Sequence, residues 1–104
     1  MTDSKPDGLE KSEKHSRAIM TVLGADRSGI IAAVTGLLAR YDVNILDISQ
    51  TILQGIFTMT MLVDLSKLTI SFTQLKSEID ELSGEIGMQI TLQREEVFDF
   101  MYRL

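Results

Sequence analysis

The chain has 104 residues, a formal net charge of −5 and no cysteine. Its length sets a single domain, and the missing thiols exclude disulfides, thiolate nucleophiles and zinc clusters built on sulfur. The acidic balance argues against a nucleic-acid surface, which carries a basic footprint.

Residues 1–16 (MTDSKPDGLEKSEKHS) hold one sizeable apolar side chain besides the initiator, Leu9, together with the only proline and the only histidine, His15. Such a segment buries too little surface to offset its ordering entropy and reads as a disordered tail, with one domain over 17–104. It lacks the apolar core of a signal peptide, and no apolar run is long enough to cross a bilayer. A cytoplasmic protein with no membrane partner is the expectation.

Residues 17–23 (RAIMTVL) read as a short apolar strand closed by Gly24. Residues 29–41 place Ile30, Ala33, Val34, Leu37, Leu38 and Tyr41 on one helical face. Asp26 or Ser28 is the expected cap of that helix. The loop between strand and helix exposes backbone N–H groups suited to a carboxylate or other small anion. Asn44, at the start of the next strand, is expected to return to that loop.

Residues 43–53 (VNILDISQTIL) alternate, with Leu46, Ile48 and Ile52 opposite Asp47, Ser49 and Thr51. Gln54-Gly55 is a turn signal, and residues 56–65 alternate again, with Phe57, Met59, Met61 and Val63 opposite Thr58, Thr60 and Leu62. The pair predicts a hairpin. Ser71 and Gln74 form a capping box ahead of the stripe Phe72, Leu75, Ile79, Leu82 and Ile86, and Gly84 and Gly87 punctuate its end. A last strand over 88–94 turns Met88, Ile90 and Leu92 inward, and residues 96–104 suit a short C-terminal helix.

The order β-α-β-β-α-β predicts an α+β, ferredoxin-like sandwich: a four-stranded antiparallel sheet with two helices on one face. Each half is expected to cross over right-handedly between parallel neighbours. The other face, with Thr21, Asp47, Ser49, Thr51, Thr58, Thr60, Thr91 and Gln93, should be wet or half covered. A core this small gains from association with a second copy.

Catalysis is poorly provided for. No cysteine is present and the one histidine lies in the tail, so the usual nucleophile–base pairs are missing. Asp26 and Asp47 have no spacing that marks an acid–base pair. Gly24 and Gly29 have P-loop spacing, yet Ile30 and Ile31 stand where a lysine and a hydroxyl are needed. Base stacking on the open face lacks aromatics, since Phe57 lies on the core side. No catalytic residue, metal ligand or cofactor is therefore assigned. Plain alternatives stay open for the remaining candidates: turn geometry for the two glycines, a helix cap for Asp26, a turn for Asn44.

The run Gly24-Ala25-Asp26-Arg27-Ser28-Gly29-Ile30-Ile31, then Val43-Asn44-Ile45, Asp47-Ile48-Ser49-Gln50 and Phe57-Thr58-Met59, resembles an ACT domain. It looks closest to small standalone ACT proteins of bacteria and archaea and to the ACT domains of the glycine cleavage system repressor. The likeness runs from Arg17 to about Leu104. It implies a regulatory module, homodimeric, that binds an amino acid or similar metabolite at an interface between two units and acts on a protein partner. The positions carried over are Gly24, Ala25, Asp26, Arg27, Ser28, Gly29 and Ile30, with Asn44 from the second strand. Gly29 and Ile30 N–H would hold a ligand carboxylate, Asn44 its polar groups, and Asp26 an ammonium. Asp26 and Ser28 stand where related ligand-binding domains often carry asparagine or histidine, and proline before the glycine. The alternative is a ligand-free interaction or dimerisation module that uses Val97, Phe98, Met101 and Tyr102.

Overall fold

The computed structural model describes residues 16–95. Four strands, β1 (Arg17–Ala25), β2 (Asn44–Leu53), β3 (Ile56–Asp64) and β4 (Gln89–Arg94), alternate with two helices, α1 (Ile30–Arg40) and α2 (Phe72–Ile86). The sheet order is β2-β3-β1-β4, and every neighbouring pair is antiparallel. This is the ferredoxin-like sandwich that the alternation predicts. One detail differs: β1 and β2 are parallel but not neighbours, because β3 lies between them.

The period-two pattern decides which face is covered. Ala18, Met20 and Val22 of β1 and Phe57, Met59, Met61 and Val63 of β3 are buried, as are Ile90 and Leu92 of β4. Against them pack Ile30, Val34, Leu37 and Leu38 of α1 and Leu75 and Ile79 of α2. Met59 and Leu75 are fully buried, so truncating either to alanine would cost about 2–5 kcal/mol. Strand β2 behaves differently. Only Ile45 is half-buried along its length, and Leu46, Ile48, Ile52 and Leu53 are exposed. The helices leave this edge uncovered on both faces.

Local signals explain the joins. Gln54 and Gly55 both have positive φ, 51° and 82°, the two-residue hairpin turn whose twist matches the flanking strands. Gly55 carbonyl accepts from Asp26 N–H at 2.8 Å, so the β1–β3 ladder continues past Leu23 and takes Gly24 and Ala25 into β1. Gly87 ends α2 in the left-handed region at φ 66°. A bulge at Leu46 interrupts the β2–β3 register, since Ile45 pairs with Val63 and Asp47 with Leu62. Ser16 carbonyl accepts from Leu65 N–H at 2.7 Å, one residue before β1. The rest of the expected N-terminal tail, and the expected C-terminal helix over 96–104, lie outside the described residues.

Candidate functional site

The start of α1 is built without a side-chain cap. Gly29 occupies the N-cap position at φ 90°, a left-handed conformation that costs an L residue roughly 1–2 kcal/mol. Its carbonyl accepts the first helical bond, from Ala33 N–H at 2.9 Å. Among the described residues no side-chain cap hydrogen bond is made to this helix start, and no acidic residue stands in its first turn. The capping expected of Asp26 or Ser28 is therefore not made, because the left-handed Gly29 takes the N-cap position itself. The N–H groups of Ile30, Ile31 and Ala32 have no partner within the helix.

A Cβ on Gly29 would meet nothing within 4 Å, so glycine is needed there for its φ. Gly24 has the opposite reason. A Cβ there would come within 2.6 Å of Met88 Sδ, so the missing side chain makes room for a core methionine.

Around the α1 start lies an open cavity of about 270 Å3, lined by the run 26–32 and by Gln50, Ile52 and Phe57. Phe57 and Ile30 are buried and form its apolar floor. Asp26, Arg27, Ser28 and Gly29 are exposed around its mouth. Of the expected site residues, Asp26, Arg27, Ser28, Gly29 and Ile30 thus come together. Gly24 and Ala25 are strand residues of β1 and do not line the cavity. Gln50 and Ile52 join it unforeseen. Their signal was legible: Gln50 is a polar residue between Ile48 and Ile52 on the otherwise apolar side of β2.

Asn44 is a correction. It pairs with Asp64, which pairs with Arg17 at the beginning of β1, so it lies at the far end of the sheet from the loop. The separation is the nine-residue length of β1, about 26 Å at the usual strand rise. The cause is the crossover: α1 runs back down the sheet, and β2 must start where β1 started. There Asn44 lines a different cleft, about 580 Å3, with Ala39, Asp42, Val43, Asp64, Ser66 and Lys67. Within one chain, Asn44 and the α1 loop cannot touch one ligand.

Among the described residues, no group of three or more His, Asp or Glu side chains is placed to hold a metal ion. No described helix is long and apolar enough to cross a membrane.

The ACT domain family model matches residues 16–93. A UPF0237 protein of Clostridium acetobutylicum is 50% identical over 88 residues, covering 85% of this chain and 99% of its own. One from Methanocaldococcus jannaschii is 44% identical over 89 residues, covering 86% and 99%. Among solved structures, an ACT domain protein from Streptococcus pneumoniae superposes with a TM-score of 0.70 at 40% identity, over 80% of this chain and 93% of that one. The fold, the glycine-led loop ahead of α1 and relatives matched along nearly their whole length lead to one conclusion: the chain belongs to the ACT domain family, a family of regulatory small-ligand-binding domains.

Proposed function

We propose that the protein is a non-enzymatic regulatory domain that binds an amino acid or related small metabolite between two copies of itself. The observation that carries this reading is the uncapped start of α1 beside an unpaired edge strand. Free N–H groups and the positive end of the helix dipole favour a carboxylate at Gly29 and Ile30. The exposed carboxylate of Asp26, which lines the same cavity, offers a partner for an ammonium. Phe57 and Ile52 supply an apolar wall for a side chain.

The distance of Asn44 from the loop within one chain favours association through the β2 edges. If two β2 edges pair antiparallel about a two-fold axis, the start of one β2 comes beside the end of the other. Asn44 of the second copy then stands next to the first copy's Gln50 and Ile52, at the mouth of the loop cavity. The interface is isologous, so two equivalent sites form. Pairing covers the exposed Ile48 and Ile52, worth up to about 1.5–3 kcal/mol for each side chain fully buried. It also satisfies backbone groups that an exposed edge leaves open.

A thermal-shift screen of the protein against the amino acids and related metabolites, with solution mass measured alongside, tests the reading. Ligand at a hundred times its dissociation constant adds about 2.7 kcal/mol of stability. The expected result is a dimer whose melting temperature rises with one ligand class, and an Asn44→Ala variant that keeps the dimer and loses the rise. A stable dimer with no response to any ligand supports the interaction module instead. A monomer removes the proposed interface.

A further inference from the structure

The sheet has two free edges, β2 and β4, and the chain guards them differently. In a two-residue hairpin the flanking residues exchange both backbone bonds, so Leu53 and Ile56 form a hydrogen-bonded pair. The alternation then turns the backbone groups of Thr51, Ser49 and Asp47 toward β3. Those of Ile52, Gln50 and Ile48 turn to the open edge. Carried across β3 and β1, the same alternation turns Ile90 and Leu92 outward from β4.

At β4 the guard is the neighbouring helix. Met88 N–H, just ahead of the strand, donates to the Ser83 carbonyl at 3.1 Å, and the Ser83 hydroxyl donates to the Met88 carbonyl. Lys76, Ile79 and Asp80 of α2 lie along Ile90 and Leu92. On β2 a single side chain does this work: Asp47 Oδ1 accepts from Ile48 N–H at 2.9 Å. The bond fits an N–H turned away from β3. It follows directly on the Leu46 bulge, and bulges and charged side chains are both devices that keep exposed edges from pairing. Among the described residues no side chain bonds the N–H of Gln50 or Ile52.

We propose that Asp47 is a brake on pairing between copies, because its carboxylate occupies a backbone donor that a β2–β2 ladder needs. The inference rests on the association through β2 edges put forward above. In that geometry Asn44 of one copy lies beside Gln50 and Ile52 of the other, so the two-fold axis falls near Ile48. Both guarded N–H groups then lie at the centre of the interface. Each must exchange a carboxylate for a carbonyl of the second copy, and a hydrogen bond to an ionised acceptor is roughly twice as strong as a neutral one. A dimer restrained in this way is one that a ligand held between the copies strengthens by linkage.

Sedimentation equilibrium of the full chain measures the dimer constant, with melting temperature confirming the fold of each variant. Asp47→Ala removes the acceptor and should tighten the dimer by about tenfold or more, since one exchange is relieved in each copy. Asp47→Glu keeps the charge on a longer arm that no longer closes on the next N–H, and it should tighten the dimer too. Asp47→Asn keeps an acceptor oxygen in place and should gain less than either. If Asp47→Ala does not fold, the glutamate variant decides. A stable dimer with no gain in the alanine or glutamate variant overturns the brake and leaves the interface standing. An equal gain in Asp47→Asn also overturns it, because charge alone would then be responsible. Unaltered chain and variants that all stay monomeric at every concentration remove the β2 interface itself, and the brake with it.

Discussion

At the start of α2, Ser71 Oγ accepts from Gln74 N–H at 3.0 Å and Gln74 Oε1 accepts from Ser71 N–H at 3.1 Å. At the start of α1, a left-handed glycine supplies its carbonyl and nothing else. The two helices rest on the same sheet and both contribute buried side chains to the same core, Ile30, Val34, Leu37 and Leu38 from one and Leu75 and Ile79 from the other. Their first turns differ in who satisfies the free N–H groups. A capping box closes α2 from within and adds about 1 kcal/mol of stability. The open α1 start forgoes that increment and keeps a positively polarised end available beside the edge strand. Stability is concentrated at one helix start, and the chemistry proposed for ligand capture at the other.

The largest effect should come from filling the open start. Gly29→Asp places a carboxylate where the ligand's would sit, and it should abolish the ligand-induced rise in melting temperature. The side chain at φ 90° adds a strain of roughly 1–2 kcal/mol. Binding loss and destabilisation can be separated by mixing. Gly29→Asp and Asn44→Ala should each fail alone, yet a mixed dimer combines the intact loop of one chain with the intact Asn44 of the other. After random exchange half of the dimers are mixed and each regains one site, about a quarter of the wild-type binding capacity by calorimetry. No recovery on mixing, with exchange shown by mass, would place both residues in the same chain's site or outside any site.

Ser71→Ala makes the opposite perturbation. It should remove about 1 kcal/mol and lower the melting temperature by roughly 4–8 °C, leaving the ligand response unchanged. A ligand response that weakens along with stability would blur the division between the two helix starts.

How far this division could be read in advance depends on the range of the physics. The capping box of α2, the Gln54-Gly55 hairpin and the inward set Phe57, Met59, Met61 and Val63 are consequences of neighbours a few residues apart, and each appears as the sequence dictates. At the α1 start, Asp26 and Ser28 are both good capping residues by type, so residue identity alone points to a side-chain cap. The backbone instead turns through Gly29, whose φ excludes that arrangement. The place of Asn44 has a topological cause. Its position follows from the direction in which α1 returns the chain, and local pattern says nothing about which end of the sheet that is. The bulge at Leu46 is also silent in the alternation, since it appears only when β2 is laid against β3. Gln50 could have been found by asking why an amide interrupts Ile48 and Ile52.

The smallest effect is the sharpest check on the comparison. If neither Asp26 nor Ser28 caps α1, then Asp26→Ala and Ser28→Ala should each change the unfolding free energy by no more than about 0.5 kcal/mol, the range of ordinary surface substitutions. Urea denaturation midpoints at constant slope measure this directly. A loss near 1 kcal/mol at either position would mean that the side chain caps the helix in solution, and α1 would then be closed like α2. The two variants should part company only with ligand present. Asp26→Ala removes the proposed ammonium partner and should weaken binding, whereas Ser28→Ala, with no role assigned beyond the cap it does not make, should bind as the unaltered chain does.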